Sequence, residues 1–343
     1  MRPPITAPLV LSLGDPCGTG PELVHKAWAA LRSQTDYAFA VLGDADLLAS
    51  LGPVRPIHDL SEAIAAFPDG LPVLDRPLSA PARPGQPDPV HAPHITGWIR
   101  EGVCLCLSGA ARGLVTAPIA KSVLYATGFA FPGHTEYLGD LTADTPYPGT
   151  RGPVMMLTAP DAANDSALRV VLATIHIPLS EVKAHLSAET VRSLAHVTHE
   201  ALIRDFGVAK PRLVLAGLNP HAGEDGTIGR EEVDLLQPLV AALRTEGLDI
   251  SGPLPADTLF HAEARRTYDA ALCLYHDQGL IPLKTLDFWG GVNITLGLPL
   301  VRTSPDHGTG FAISGKGIAR PDSLINAIRA AHDISLNRAQ KTT

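Results

Sequence analysis

Three apolar stretches of this 343-residue chain close on the same side chain. LRVVLATIHIPL (168–179) reaches His176, RLVLAGLNPHAGE leads to His221, and DAALCLYHDQG ends at His276. Each is followed by turn-forming residues, as expected where a buried strand emerges at its carboxyl end. In an open α/β sheet that end is where ligands bind, because loops converge there on a rigid support. A neutral imidazole is the commonest protein ligand for zinc and related ions, and three of them with an open position make a catalytic centre. On pattern alone, three ordinary histidines packed near the surface account for the same residues equally well.

Other stretches bear different chemistry. GDPCGTGPE (14–22) follows the first apolar run, with Gly14, Gly18 and Gly20 permitting a tight turn and Pro21 suited to a first helical turn. Such a turn can offer backbone N–H groups to an anion or cofactor, or be simply a turn, and it lacks the Rossmann spacing. FPGHTEYL (131–138) sets His134 and Thr135 in a turn before a helix, Thr135 being suited to the N-cap. Near the end, Lys284, Asn293 and Arg302 flank an apolar strand in an acidic chain. They could hold a phosphate and a carboxylate, or the two cations could be solvated surface charges.

Elements of α/β type must position these groups. Short apolar runs near 7–13, 38–42, 113–116, 168–175, 212–218, 270–275 and 292–296 read as parallel strands. Between them PELVHKAWAALRSQ and SAETVRSLAHVTHEALIRDF show the apolar spacing of amphipathic helices. The proline-rich stretch 75–93 reads as an extended connection. At about 150 residues per domain the length allows two domains or one unit with a deep cleft, and no linker announces a border.

Composition narrows the partners. A formal charge of −8 argues against general affinity for nucleic acid or anionic membrane. No stretch approaches the ~18 apolar residues of a membrane span, and the N-terminus reads as a strand rather than a signal peptide. The four cysteines, Cys17, Cys104, Cys106 and Cys273, lack metal-finger spacing and fit reduced thiols in a cytoplasmic protein.

Taken together, GDPCGTGPE, TAPIAK, FPGHTEYL, ATIHIPL, LNPHAGEDGTIGREE, GPLPADTLF, YHDQGLIPLK and GVNITLGLPLVRTSPDHGT resemble the 4-hydroxythreonine-4-phosphate dehydrogenase family of vitamin B6 biosynthesis. The resemblance spans nearly the whole chain. It implies a divalent metal (zinc, cobalt or magnesium) on His176, His221 and His276, and substrate contacts at His134, Thr135, Lys284, Asn293 and Arg302. It also implies a homodimer, with the active site in a cleft between two α/β/α subdomains at the dimer interface and one metal histidine coming from the partner. The family is similar in turn to isopropylmalate and isocitrate dehydrogenases, whose fold is not of Rossmann type. DHGTGFAISGKGIARP (306–321) resembles the loop that holds NAD there. By that likeness Gly14, Asp15, His307, Gly308, Thr309 and Lys316 would bind NAD, with NADP as the variant. The implied division is 1–130 plus 300–343 for the cofactor, and 131–299 for metal, substrate and dimerisation. Cys17 and Thr19 depart from the family's usual alanine and isoleucine.

The activity so implied is NAD-dependent oxidation of 4-phosphohydroxy-L-threonine to a 3-keto acid, which decarboxylates to 3-amino-2-oxopropyl phosphate. Lys284 and Asp257 are the alternatives for the general base, Asp257 serving otherwise as support to a metal histidine. The nearest rival is a paralogue acting on a phosphorylated sugar acid, such as threonate or erythronate phosphate, or on a cyclic diol carboxylate. From other classes come a three-histidine metal phosphohydrolase that needs no nucleotide and a catalytically silent metal-binding protein.

Overall fold

The structure is a computed structural model that describes residues 7–160 and 167–341. The chain divides into two compact units, Met1–Pro146 with Leu298–Thr343 and Tyr147–Gly297. Residues 131–146, with His134 and Thr135, therefore belong to the first unit, although the sequence placed the border at 130.

In the first unit β1 (Leu9–Ser12), β2 (Phe39–Gly43), β3 (Val54–Ile57), β4 (Leu71–Asp75), β5 (Leu114–Thr116) and β12 (Arg302–Pro305) lie in the order β3-β4-β2-β1-β5-β12. Every pairing among them is parallel. All residues of β1 and β2 are buried, which is why their sequences run apolar instead of alternating. The helices Gly20–Leu31, Ala92–Leu107 and Asp322–Lys341 cover this sheet. The first of them buries Leu23, Val24, Ala27, Trp28 and Leu31 on one face, the stripe its spacing announced.

The second unit comprises β6 (Val154–Ala159), β7 (Leu168–Leu172), β8 (Arg212–Ala216), β9 (Asp249–Leu254), β10 (Ala270–Cys273) and β11 (Val292–Leu296), in the order β11-β6-β7-β10-β8-β9. β6 runs antiparallel to both neighbours, so this sheet is mixed where an all-parallel one was expected. Leu157, Leu168, Val170, Val214, Ala271 and Leu283 belong to its core. The seven strands read from sequence are all present. The three strands leading to a histidine stop earlier than read, at 172, 216 and 273, and the histidines sit in the loop, turn and helix start beyond them.

Candidate active site

In the second unit β7, β10 and β8 are consecutive and parallel, so the loops leaving their carboxyl ends emerge side by side. Leu172 is level with Cys273 in the ladder, and Ala173 N–H donates to the Cys273 carbonyl at 2.8 Å. Beyond it the Thr174 hydroxyl donates to the Leu274 carbonyl at 2.7 Å. These bonds carry the two chains outward together. The His176 and His276 rings end with centroids 5.7 Å apart and planes inclined at 42°. Two imidazoles bound through nitrogen to one tetrahedral ion at about 2.1 Å would stand about 5 Å apart at their ring centres. The observed separation lies within about 1 Å of that spacing.

His276 opens the helix His276–Leu286, and its Nδ1 lies 2.7 Å from Asp277 Oδ1. A carboxylate at Nδ1 selects the tautomer that protonates that nitrogen and leaves Nε2 as the lone-pair donor. Thr174, His176, Leu179, Val182, Tyr275 and His276 line a cavity of about 310 Å³.

His221 sits apart from this pair, in the turn after β8. It is exposed, and among the described residues no group of three or more His, Cys, Asp or Glu lies close enough together to hold a metal ion. One chain therefore presents two imidazoles side by side, with the third ligand of the expected set outside their cluster. The backbone carrying His221 is unusual: His221, Ala222, Gly223, Glu224 and Asp225 all adopt left-handed conformations, with φ between 42° and 79°. For residues other than glycine this costs on the order of 1 kcal/mol each, and it persists only where surroundings enforce it.

The remaining residues singled out in this unit lie on three different elements. Lys284 lies on the helix His276–Leu286 with Nζ 5.6 Å from the centre of the Phe288 ring. Asn293 is in β11, and its Oδ1 is shielded from solvent with no hydrogen-bond donor among the described residues. Asp257 is exposed on the short turn Ala256–Thr258.

In the first unit, Arg302 begins β12 and is only 2% exposed. Its Nη2 donates to Thr116 Oγ1 at 2.7 Å. Burial pushes the guanidinium down to about 9, with the Glu136 carboxylate working in the opposite direction. The side chain remains a cation at neutral pH. The reading of Arg302 as a solvated surface charge is thereby excluded.

His134 is the first residue of the helix His134–Leu141, whose N-cap is Gly133 and not Thr135; Thr135 is buried one position inside. Extended backbone at Gly133 serves the helix start without a capping side chain. The His134 Nε2 is shielded and meets no partner among the described residues. Burial above all, then the charges of Arg302 and Lys121, hold its pKa well below the usual value, so the ring is neutral. A neutral ring, two cations and the N-terminal turn of a helix make a favourable setting for an anion. Lys121, Thr116 and Glu136 were not assigned from sequence, although TAPIAK contains the first two.

The expected cofactor residues also meet. Gly14 has φ +73°, and a Cβ there would stand 2.5 Å from the Pro118 carbonyl, so only glycine fits. Asp15 is buried, its Oδ1 accepting from Cys17 N–H at 3.0 Å, and burial pushes its carboxyl up. The Thr309 carbonyl accepts from both the backbone N–H and the hydroxyl of Thr19, at 2.8 and 3.1 Å. Ser314 Oγ donates to the Gly18 carbonyl at 2.8 Å, and Lys26 Nζ to those of Gly317 and Ala319. The glycine turn and the 306–317 loop are thus one built surface. His307, Gly308 and Lys316 lie exposed along it.

One α/β unit thus carries the paired imidazoles, and the other a buried arginine beside a neutral histidine. The chain belongs to the family described as pyridoxal phosphate biosynthetic protein PdxA, whose model matches residues 35–331. Its relatives include the 4-hydroxythreonine-4-phosphate dehydrogenase of Caulobacter vibrioides, 58% identical over 96% of this chain and 98% of that protein. The enzyme of the same name from Maricaulis maris is 53% identical, over 97% and 99% of the respective chains. Among solved structures, 4-hydroxythreonine-4-phosphate dehydrogenase from Klebsiella pneumoniae superposes with a TM-score of 0.82. It is 36% identical, and the match covers 96% of this chain and 99% of that one.

Proposed function

We propose that the chain oxidises 4-phosphohydroxy-L-threonine with NAD to the 3-keto acid, which then loses carbon dioxide to give 3-amino-2-oxopropyl phosphate. The observation that carries this reading is the His176–His276 pair, 5.7 Å apart at a cavity wall, in a chain whose relatives bear the dehydrogenase name. A divalent ion, when bound, would acidify the substrate hydroxyl and stabilise negative charge on oxygen. His176 and His276 would hold it together with His221 of either subunit, the partner's copy making the active unit a homodimer.

The chain's own residues supply binding and orientation. Arg302 offers a group that is cationic at neutral pH in a nearly dry setting, where an ion pair with phosphate is strong. His134, kept neutral, can donate or accept one hydrogen bond without adding charge. Thr135, Lys284 and Asn293 would complete the grip on the substrate. Binding energy from these groups serves to align the reacting carbon. Asp277 fixes the tautomer of His276. Lys284 or Asp257 would take the hydroxyl proton. The glycine turn, with Gly14 and Asp15, and the loop of His307, Gly308, Thr309 and Lys316 would cradle the dinucleotide.

The decisive assay follows NADH absorbance with 4-phosphohydroxythreonine, with and without chelator and added zinc, cobalt or magnesium. Metal-dependent NADH formation is expected, and it should be abolished in His221→Ala. Phosphate release without NADH, or turnover that survives both chelation and loss of His221, would refute the proposal.

A further inference from the structure

The turn bearing His221 is held in an unfavourable backbone conformation, and the structure shows what holds it. Glu232 is fully buried, and its Oε1 accepts from the backbone N–H groups of Leu218 and Asn219, both at 2.7 Å. These are the last residues before the turn. Its Oε2 accepts from Asn219 Nδ2 at 2.8 Å. At Gly223, inside the turn, a Cβ would stand 2.7 Å from the same Oε2, so the carboxylate also sets how closely the turn folds back. Asn219 Nδ2 donates in addition to Glu231 Oε2 at 2.8 Å, and Glu231 is bridged to Lys183 at 2.5 Å. Lys183 belongs to the short helix Val182–His185, whose first residue lines the cavity beside His176. One polar chain therefore ties the segment after β7 to the turn after β8.

We propose that Glu232 is a positioning residue, its buried carboxylate fastening the entrance of the left-handed turn so that His221 is presented ready to ligate a divalent cation. The inference rests on the reading of His221 as a ligand. A buried carboxylate makes three charge-assisted bonds, two of them to backbone N–H groups of a turn that has no regular ladder to stabilise it. With Glu232 in place the imidazole's backbone is ordered before metal arrives. Without it the turn relaxes toward ordinary conformations, and ordering it is charged against binding.

The test is calorimetric titration of the metal-free full-length protein with zinc, in the wild type and in Glu232→Ala, Glu232→Gln and His221→Ala, with amide exchange followed over 218–227. Glu232→Ala should bind zinc about 10–100-fold more weakly, with faster exchange centred on the turn and an unfolding midpoint in chelator that is lowered but leaves the protein folded under the conditions of the titration. Glu232→Gln should recover most of the affinity, because its carbonyl oxygen can still take both backbone N–H groups. Should Glu232→Ala not fold, Asn219→Ala carries the same expectation to a smaller degree. Wild-type affinity in the Glu232 or Asn219 variants beside a loss in His221→Ala overturns the positioning role alone. A loss that merely follows global unfolding and is not rescued by glutamine does the same. Wild-type affinity in His221→Ala overturns the ligand reading, and this inference falls with it.

Discussion

Arg302 keeps its charge in a place that water barely reaches, and its side chain is steered by Thr116 from the adjacent strand. A guanidinium presents a rigid, planar fork to an oxyanion, whereas an ammonium presents a single mobile point. Arg302→Lys keeps the charge and loses both the fork and the Thr116 bond. Loss of such charge-assisted bonds amounts to about 1.5–3 kcal/mol, or roughly 10–100-fold in KM, with kcat less affected. Steady-state kinetics of this variant with the phosphorylated substrate provide the check; an unchanged KM would remove Arg302 from the substrate's grip. Arg302 also marks a limit of sequence reading. Nothing in LVRTSP distinguishes a buried arginine from a solvated one, because the neighbours that surround it come from distant segments, Thr116 being 186 residues away.

Strand ends are where the sequence spoke most clearly. A chain leaving a buried parallel strand passes from continuous apolar residues to turn formers, so His176, His221 and His276 stand out in the sequence itself. The order β7-β10-β8, which makes those ends neighbours, depends on pairing between distant segments and leaves no local trace. β3, β4, β6, β9 and β12 went unread. VRPI, LPVLD and DISGPL contain proline, and RTSP is polar although buried, so these four give no uninterrupted apolar run, whereas VMMLTA of β6 opens with a run of only four apolar residues. Gln278 was equally invisible, since its partners are backbone atoms. It is buried, its Nε2 donating to the Gly217 carbonyl and its Oε1 accepting from Leu274 N–H, each at 2.7 Å. One amide thus clasps the end of β8 to the end of β10. Gln278→Leu keeps roughly the size but leaves a buried donor and acceptor unmatched, which costs about 1–3 kcal/mol. Urea unfolding should show that loss, together with weaker zinc binding as the two strand ends loosen. An unchanged urea midpoint would mean the clasp is dispensable.

Across the whole molecule, protonation couples to folding mainly through histidines that burial keeps neutral. His25, His91, His134, His199 and His332 all have pKa values below the usual one, burial being the largest cause in each. For His332 the Arg112 guanidinium, 2.8 Å from Nδ1, reinforces it, whereas for His25 the bond between Nε2 and the Leu48 carbonyl at 2.8 Å works against it. Proton counting sets the sign. Above about pH 6.5 neither the folded nor the unfolded chain protonates these rings, and their contribution to stability is complete. As pH falls below that value the unfolded chain takes up protons that the folded chain refuses, so stability declines until the depressed folded pKa values are reached. Carboxylates held low by partners, such as Glu231 beside Lys183 or Asp269 beside Arg212, lose their contribution only in a more acid range. Asp15, whose carboxyl is pushed up by burial, works against the trend. Between about pH 7.5 and about pH 5.5 the histidines dominate, and the thermal midpoint of the metal-free protein should fall by several degrees. Potentiometry of unfolding at the lower pH should register net proton uptake. A midpoint that rises or stays level over this interval would show that these rings are protonated in the folded chain, and His134 would then face the substrate as a third cation beside Arg302 and Lys121.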